Sequence, residues 1–262
     1  MRKQSLFLAL ITLFVCLGFA ACNKDDDNNI EGKSTLNIRL TDGPADYDAV
    51  YIDVQEIEIH TDQGGWVKYT PAFPGIYNLL DFRNGMDTLL CHIQLPAGKI
   101  SQMRLILGPN NTVVVNGETK PLSTPSAQQS GLKFNIHQEL MPNLVYDIWI
   151  DFDAGKSIVE TGNGSYILKP VIRSYTALTN GRVKGFVLPT EANAIVYAIN
   201  GVDTFSAIPE LNGYFMFCGL PAGNSNIWID AAPNSNFQDI ALPNVAVSFG
   251  TINDLGVITL LP

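Results

Sequence analysis

The sequence predicts an all-β protein built from two β-sandwich domains in tandem. Apolar and polar residues alternate with a period of two, as in Leu36, Ile38 and Leu40, and no segment shows the 3.6-residue period of a helix of normal length. Asn-Gly pairs, which supply the positive φ angles that tight hairpin turns require, separate several of the alternating runs. These pairs are Asn84-Gly85, Asn116-Gly117, Asn163-Gly164, Asn180-Gly181, Asn200-Gly201 and Asn212-Gly213.

A change of phase within one long apolar segment predicts a β-bulge. Val50, Ile52 and Val54 share one phase, and Ile57 and Ile59 take the other. Successive side chains of a strand point to opposite faces, so one extra residue between the two groups keeps both on the same buried face.

The N-terminus has the pattern of an export signal. Arg2 and Lys3 form a short positive region, and the apolar run of residues 6–19 is too short to span a bilayer comfortably. The run ends in FAA directly before Cys22, which resembles a bacterial lipobox, where the cysteine becomes the lipidated first residue of the mature protein. We therefore predict a lipoprotein signal peptide over residues 1–21 and lipidation of Cys22.

A polar stretch follows the predicted lipidation site. Residues 22–33 are predicted to form an acidic tether, because residues 23–29 (NKDDDNN) contain no apolar side chain. A lysine followed by acidic residues at this place resembles the surface-export signal of Bacteroidota-type lipoproteins, here Lys24, Asp25, Asp26 and Asp27. The resemblance implies a lipid-anchored outer-membrane protein displayed on the cell surface. The alternative is an ordinary secretory signal with a chance cysteine and a plain linker.

The charge balance limits the kinds of partner. The formal net charge is −9, and removal of the signal peptide, which holds Arg2 and Lys3 but no acidic residue, makes it −11. An acidic chain argues against nucleic acid, whose phosphates require clustered lysine and arginine. It also argues against a basic membrane-binding patch, so the lipid on Cys22 is predicted to be the membrane contact.

Separated motifs within residues 34–178 resemble one known family. They are residues 40–44 (LTDGP), 47–50 (YDAV), 125–126 (PS), 130–133 (SGLK), 151–154 (DFDA) and 156–159 (KSIV), followed by Tyr166, Leu168, Lys169 and Pro170. Together they resemble the domain of unknown function 4382, which is common in lipoproteins of Bacteroidota. The resemblance covers nearly the whole segment and implies no established activity.

A second domain is predicted over residues 181–262, because Thr179-Asn180-Gly181 breaks one β-rich run from the next. Its turn motifs are residues 183–185 (VKG), 212–215 (NGYF) and 219–223 (GLPAG). They resemble those of carboxypeptidase regulatory-like (transthyretin-like) domains. The resemblance implies an immunoglobulin/transthyretin-like β-sandwich that serves as a spacer or adhesive fold more than a catalyst.

A repeated tetrapeptide marks a candidate ligand face. Residues 148–151 (IWID) recur as residues 227–230, and alternation puts the isoleucines on one face with Trp and Asp on the other. In the first copy the predicted face bears Asp147, Trp149, Asp151 and Asp153. A flat aromatic ring flanked by carboxylates is how many proteins hold sugar rings. The alternative is a covered Trp149, since buried tryptophan is usual in a sandwich, and the exposure of Trp149 and Trp228 decides between the two.

No cofactor or metal is predicted, although one segment faintly resembles a calcium loop. Its oxygen donors would include Asp151 and Asp153. Further donors would be Asp42, Asp46 and Asp48, if the fold brings them near. A glycine occupies the place of the bidentate glutamate, and Lys156 brings an opposing charge. Strand-end turn chemistry is the alternative role of these aspartates.

Catalytic motifs are not recognisable in the sequence. His60, His92 and His137 form no metal-type pair, and no nucleophile-elbow motif occurs. We predict that the protein is not an enzyme and acts as a cell-surface binding or adhesion module, with a glycan or a surface protein as partner. A structural or anchor subunit of a pilus-like assembly is an alternative, because exposed sheet edges can accept a donated strand. A carboxylate-dependent hydrolase is the other alternative. The distance between two catalytic carboxylates depends on the three-dimensional fold, so the sequence does not exclude such a pair.

Overall fold

The computed structural model describes residues 32–125 and 130–262. The described residues form one compact unit. Cys22 and the predicted export signal, Lys24 to Asp27, lie outside the described residues. Within the described ranges, no helix combines the length and the apolar character needed to cross a membrane.

The described elements are nearly all strands, which confirms the predicted all-β fold class. The strands up to residue 176 are β1 (Lys33–Gly43), β2 (Ala49–Thr61), β3 (Gly65–Tyr69), β4 (Gly75–Asn78), β5 (Thr88–Pro96), β6 (Gly98–Leu107), β7 (Thr112–Val115), β8 (Glu118–Ser123), β9 (Leu132–Leu140), β10 (Val145–Asp153), β11 (Ile158–Glu160), β12 (Tyr166–Leu168) and β13 (Ile172–Thr176). Those that follow are β14 (Gly181–Leu188), β15 (Ile195–Asn200), β16 (Asp203–Ala207), β17 (Tyr214–Leu220), β18 (Gly223–Asp230), β19 (Ile240–Val247) and β20 (Ile252–Thr259). Helical elements within the described ranges include the α-turn α1 (Ala154–Ser157) and 3-10 turns at Leu79–Phe82, Ala177–Thr179 and Thr190–Ala192.

The first sandwich consists of a four-stranded sheet in the order β13-β10-β1-β5 and a nine-stranded sheet built around β2. The central pair, β1 and β10, runs parallel, with Ile38 opposite Ile148 and Leu40 opposite Ile150. These four side chains are fully buried in the core between the sheets, as the period of two predicts.

The predicted β-bulge lies in β2. Its pairing with β6 shifts register between Val54 and Glu56, which inserts one residue into β2. Ile52 and Val54 before the shift and Ile57 and Ile59 after it are all fully buried. The bulge prediction is confirmed, and the bulge allows a long strand to keep one apolar face on the core.

The second sandwich packs a three-stranded sheet, β17-β14-β20, against a four-stranded sheet, β16-β15-β18-β19. Its separate core includes Val183, Phe215, Phe217, Ile227 and Ile229. The apolar side chains therefore form two clusters, one on each side of the predicted boundary at residues 178–181. Because both clusters belong to one compact unit, that boundary remains a prediction.

The Asn-Gly pairs do not all play the same role. Asn116 and Gly117 both have positive φ angles, of 52° and 76°, and join β7 to β8 in a tight hairpin. Asn180 is extended instead, and Gly181 begins β14. A Cβ atom at Gly181 would collide with the side chain of Val247, so this glycine is required for a close approach of two strands.

Candidate functional site

The predicted ligand face lies on the outer side of β10, and its four side chains differ in exposure. Asp147 has 35% of its side chain exposed and Trp149 is half-buried. Asp151 and Asp153, farther along the strand, are buried. The face is therefore open to solvent at its Asp147 end and closed at its Asp153 end, where the second sandwich lies alongside.

A hydrogen-bonded network covers the open end of this face. Because β1 runs parallel to β10 in register, Asn37 lies opposite Asp147 and Arg39 lies opposite Trp149. Asp147 Oδ1 accepts from Asn37 Nδ2 at 3.0 Å and from Arg39 Nε at 3.3 Å. Arg39 Nη1 donates to Asp87 Oδ1 at 2.8 Å, and this bond is the main reason that the pKa of Arg39 is raised. The polar groups are thus held in place before any ligand arrives.

Trp149 lies at the centre of the arrangement. Its ring stacks on that of Tyr175, with centroids 5.6 Å apart and planes within 12° of parallel. Its indole N–H donates to Asp87 Oδ2 at 2.8 Å, so Asp87 connects the indole with the Arg39 guanidinium. One ring face is therefore covered by an aromatic partner, and the N–H is oriented by a carboxylate.

A cavity of about 100 Å³ lies beside these groups, and we call it the Trp149 cleft. The first sandwich contributes Asp87, Trp149 and Tyr175 to its wall, and the second contributes Arg182 and Cys218. Burial raises the pKa of the Cys218 thiol to about 11, so this cysteine is an uncharged wall residue at neutral pH. The cleft combines aromatic, cationic and carboxylate groups in a small half-buried space.

The closed end of the face is held by ion pairs. Arg173 Nη2 lies 2.8 Å from Asp151 Oδ2, and Lys156 Nζ lies 3.0 Å from Asp153 Oδ2. Lys156 Nζ also donates to the carbonyl of Thr204 at 2.6 Å, which ties the first sandwich to β16 of the second. The pKa of Asp151 is raised because the burial cost exceeds the effect of Arg173.

These ion pairs bear on the faint calcium resemblance. Asp153 Oδ1 accepts from the backbone N–H of Lys156 at 3.1 Å and caps α1, which is the turn chemistry given as the alternative. The described parts of the chain contain no group of three or more His, Cys, Asp or Glu side chains arranged to hold a metal ion. The carboxylates of Asp151 and Asp153 are instead neutralised by Arg173 and Lys156.

Only one of the further calcium candidates, Asp42, comes near this end of the face. It is buried, its Oδ1 accepts from the backbone N–H of Ala154 at 3.0 Å, and its Oδ2 has no hydrogen-bond partner among the described residues. Burial raises the pKa of Asp42 well above its usual range, with Asp151 and Asp153 adding to the effect. Asp46 lines a different groove, and Asp48 accepts from the backbone N–H of Gly117.

The second copy of the IWID tetrapeptide has a different environment. Ile227 and Ile229 are buried, as in the first copy, but Trp228 is 41% exposed on the outer face of β18, opposite Tyr197 of β15. The same local pattern therefore gives a half-buried tryptophan in one sandwich and an exposed one in the other.

Several side chains of the site and its surroundings were not identified from the sequence. Asp87 lies in an irregular segment before β5, and nothing in its sequence context points to Trp149. Arg39 could have been placed from the sequence. It alternates with the apolar residues of β1, so its side chain must lie on the outer face of that strand. Trp66 was also missed: the Arg104 guanidinium lies 3.7 Å above its ring on the outer side of the nine-stranded sheet.

The fold and the cleft define a nearly all-β protein of stacked sheets with a polar, aromatic cleft beside its central parallel strands. Residues 33–170 match the family described as "Domain of unknown function (DUF4382)", and the chain belongs to this family. The resemblance seen in the sequence motifs is thereby confirmed for the first sandwich. A comparison with curated proteins gives no match.

Solved structures share only a distant likeness with the chain. The TIE protein of Bacillus anthracis is 14% identical with a TM-score of 0.24, and the match covers 87% of this chain and 34% of that one. A leucine-rich repeat protein from Bacteroides thetaiotaomicron is 14% identical with a TM-score of 0.19, over 87% and 26% of the two chains. BcpA, the major pilin subunit of Bacillus cereus, is 9% identical with a TM-score of 0.23, over 87% and 99%. This chain thus spans about a third and a quarter of the first two proteins, and likenesses this weak carry no functional argument.

Proposed function

We propose that this protein is a cell-surface lipoprotein that binds a glycan through the Trp149 cleft without catalysing a reaction. The observation that carries the proposal is the hydrogen-bonded set of Arg39, Asp87 and Asp147 beside the half-buried indole of Trp149. Sugars are bound by aromatic surfaces for their apolar faces and by fixed planar polar groups for their hydroxyls. The cleft supplies the indole and Asp87, and Arg39 and Asp147 are bonded to this set beside the cleft. These groups are ordered in advance, which lowers the entropic cost of binding.

The hydrogen bonds of the carboxylates support a binding role over the carboxylate-dependent hydrolase. Asp87 accepts from Arg39 and Trp149, Asp147 accepts from Arg39, and Asp151 is paired with Arg173. The oxygens of these carboxylates are therefore already occupied by donors of the protein itself, whereas a general acid or base must lie within hydrogen-bond reach of the substrate proton that it transfers.

Glycan-array binding tests this function. The chain from Cys22 onward, carrying Cys22→Ser so that it stays soluble, is expected to bind a subset of glycans. The double variant Asp147→Ala, Arg182→Ala removes one carboxylate at the open end and one guanidinium of the cleft wall, and is expected to weaken binding about tenfold or more. Both residues are partly exposed, so its thermal stability should stay close to that of the parent.

The matched control is Lys184→Ala, Asp254→Ala, an exposed ion pair of the second sandwich that also removes one charge of each sign. It is expected to leave glycan binding unchanged. Equal losses in both double variants, or no glycan bound by the parent chain, would contradict the proposal.

The anchor and the location are proposed from the residues before position 28 and are tested separately. In the native host, Cys22→Ala is expected to release the protein from the membrane fraction, because the lipid is its membrane contact. Replacing Lys24, Asp25, Asp26 and Asp27 by alanine should keep the lipid but lose surface display. Metabolic labelling with a fatty acid and protease shaving of intact cells measure the two effects. A wild-type protein without lipid, or one resistant to shaving, would contradict this part.

A structural subunit of a surface assembly remains a second candidate because of one observation on β9. Asn135 directs its carbonyl outward to Ser174 Oγ, and β9 pairs only with β6 among the described strands. β9 thus has one edge that faces away from β6. Ser174 of β13 already donates to one carbonyl of that edge, and another strand could pair with the remaining groups. This candidate would be favoured if the purified protein bound no glycan and if cells contained high-mass species that include this chain.

A further inference from the structure

A second concave surface, which shares no lining residue with the Trp149 cleft, lies where β14 ends and β15 begins. It has a volume of about 460 Å³, within the range of sites that hold a small ligand or a short peptide. Its floor is apolar and includes Pro189, Ile195, Ile208 and Pro209, all partly exposed. Such a concave apolar surface gains free energy when a matching apolar group excludes water from it.

The rim of this groove carries charge of one sign. The groove is lined by three exposed carboxylates: Asp46 from the loop between β1 and β2, and Glu191 and Glu210 from the second sandwich. No lysine or arginine of the described residues lines it. A one-signed rim around an apolar floor favours a partner that brings both a cation and an apolar side chain.

One wall of the groove is held rigidly by the first sandwich. Asn84 Nδ2 donates to the carbonyl of Ile208 at 3.1 Å and to Glu210 Oε1 at 3.0 Å. The backbone N–H of Gly213 donates to the carbonyl of Glu210, which closes the turn after it. This fixed wall presents Leu211 with its side chain completely exposed. Because the turn is fixed, this leucine is presented to a partner without a further loss of backbone freedom on binding.

We propose that this groove, which we call the acidic groove, binds an extended segment of a partner protein in which a lysine or arginine neighbours an apolar residue. The basic side chain reaches Glu191 and Glu210 at the rim, and the apolar side chain enters the floor beside Ile195 and Leu211. The exposed rim carboxylates mainly increase the association rate and the specificity, and the apolar contact retains the peptide. The proposal does not depend on glycan binding at the Trp149 cleft.

Selection from a library of displayed random heptapeptides tests the proposal, with the Cys22→Ser chain from residue 22 onward as the target. The enriched peptides are expected to carry a lysine or arginine next to an apolar residue. When these peptides are synthesised and titrated by fluorescence anisotropy, the variant Glu191→Gln, Glu210→Gln should bind them about tenfold more weakly. Glutamine keeps an oxygen for Asn84 at position 210, so the wall should stay in place.

Two matched controls distinguish binding in the groove from effects of net charge and of exposed apolar side chains in general. Glu139→Gln, Glu160→Gln changes the net charge equally at exposed positions of the first sandwich and should leave peptide affinity unchanged. Leu211→Ser should weaken binding about threefold or more, whereas Val202→Ser, at another exposed position of the second sandwich, should have no effect. Failure to enrich basic peptides, or equal losses in the control variants, would overturn the proposal.

Discussion

Replacing Arg173 by alanine is expected to lower the free energy of unfolding by about 3 kcal/mol at pH 8. Arg173 donates to the buried carboxylate of Asp151 through Nε at 3.1 Å and Nη2 at 2.8 Å, and its guanidinium lies 4.2 Å above the ring of Phe205. Removal of the cation leaves a buried charge without its partner and also removes a contact between the two sandwiches. Urea denaturation, monitored by tryptophan fluorescence, measures the loss.

The pH dependence of this loss identifies its cause. The pKa of Asp151 is already raised in the folded protein, and without Arg173 it should rise further. A carboxyl whose folded pKa is raised costs most stability above that pKa, and the cost decreases as the pH falls from there towards the lower pKa of the unfolded chain. The difference between Arg173→Ala and the parent should therefore be larger at pH 8 than at pH 5.

A double variant provides the control. Asp151→Asn removes the charge that Arg173 neutralises, so Arg173→Ala combined with Asp151→Asn should recover at least half of the loss caused by Arg173→Ala alone. A loss that is the same at pH 5 and pH 8, with no recovery in the double variant, would mean that packing on Phe205, and not the ion pair, is the main contribution of Arg173.

The two tryptophans of the repeated tetrapeptide should respond differently to the same substitution. Trp149→Ala is expected to cost about 3 kcal/mol of unfolding free energy, because it leaves a cavity against Tyr175 and removes the indole donor of Asp87. Trp228→Ala should change the unfolding free energy by less than about 1 kcal/mol, because the ring is 41% exposed. Each variant is the control of the other, since the local sequence IWID is identical.

Chemical denaturation of the two variants, with an unrelated probe such as far-ultraviolet circular dichroism, decides the comparison. Similar losses at both positions would contradict the environments described here. A large loss for Trp149→Ala also means that lost glycan binding in that variant could reflect unfolding. For this reason the binding test uses Asp147 and Arg182, whose side chains are partly exposed.

The sequence by itself determined the local structure of this protein. Alternation predicted which side chains of β1 and β10 enter the core, and the phase change predicted the bulge in β2. These predictions succeed because the period of a strand is a local property of the backbone. The family of the first sandwich was also evident from short motifs, and residues 33–170 match it.

Only the tertiary structure decided how exposed each member of the predicted face is. The sequence placed Asp147, Trp149, Asp151 and Asp153 on one side of β10, but it could not show that the second sandwich lies over the far end of that side. Coverage depends on contacts between residues distant in the chain, such as Lys156 with Thr204 and Asn84 with Glu210. The apolar periodicity of the sequence does not specify these contacts. The positions of the cleft and of the acidic groove therefore follow only from the packing of the two sandwiches against each other.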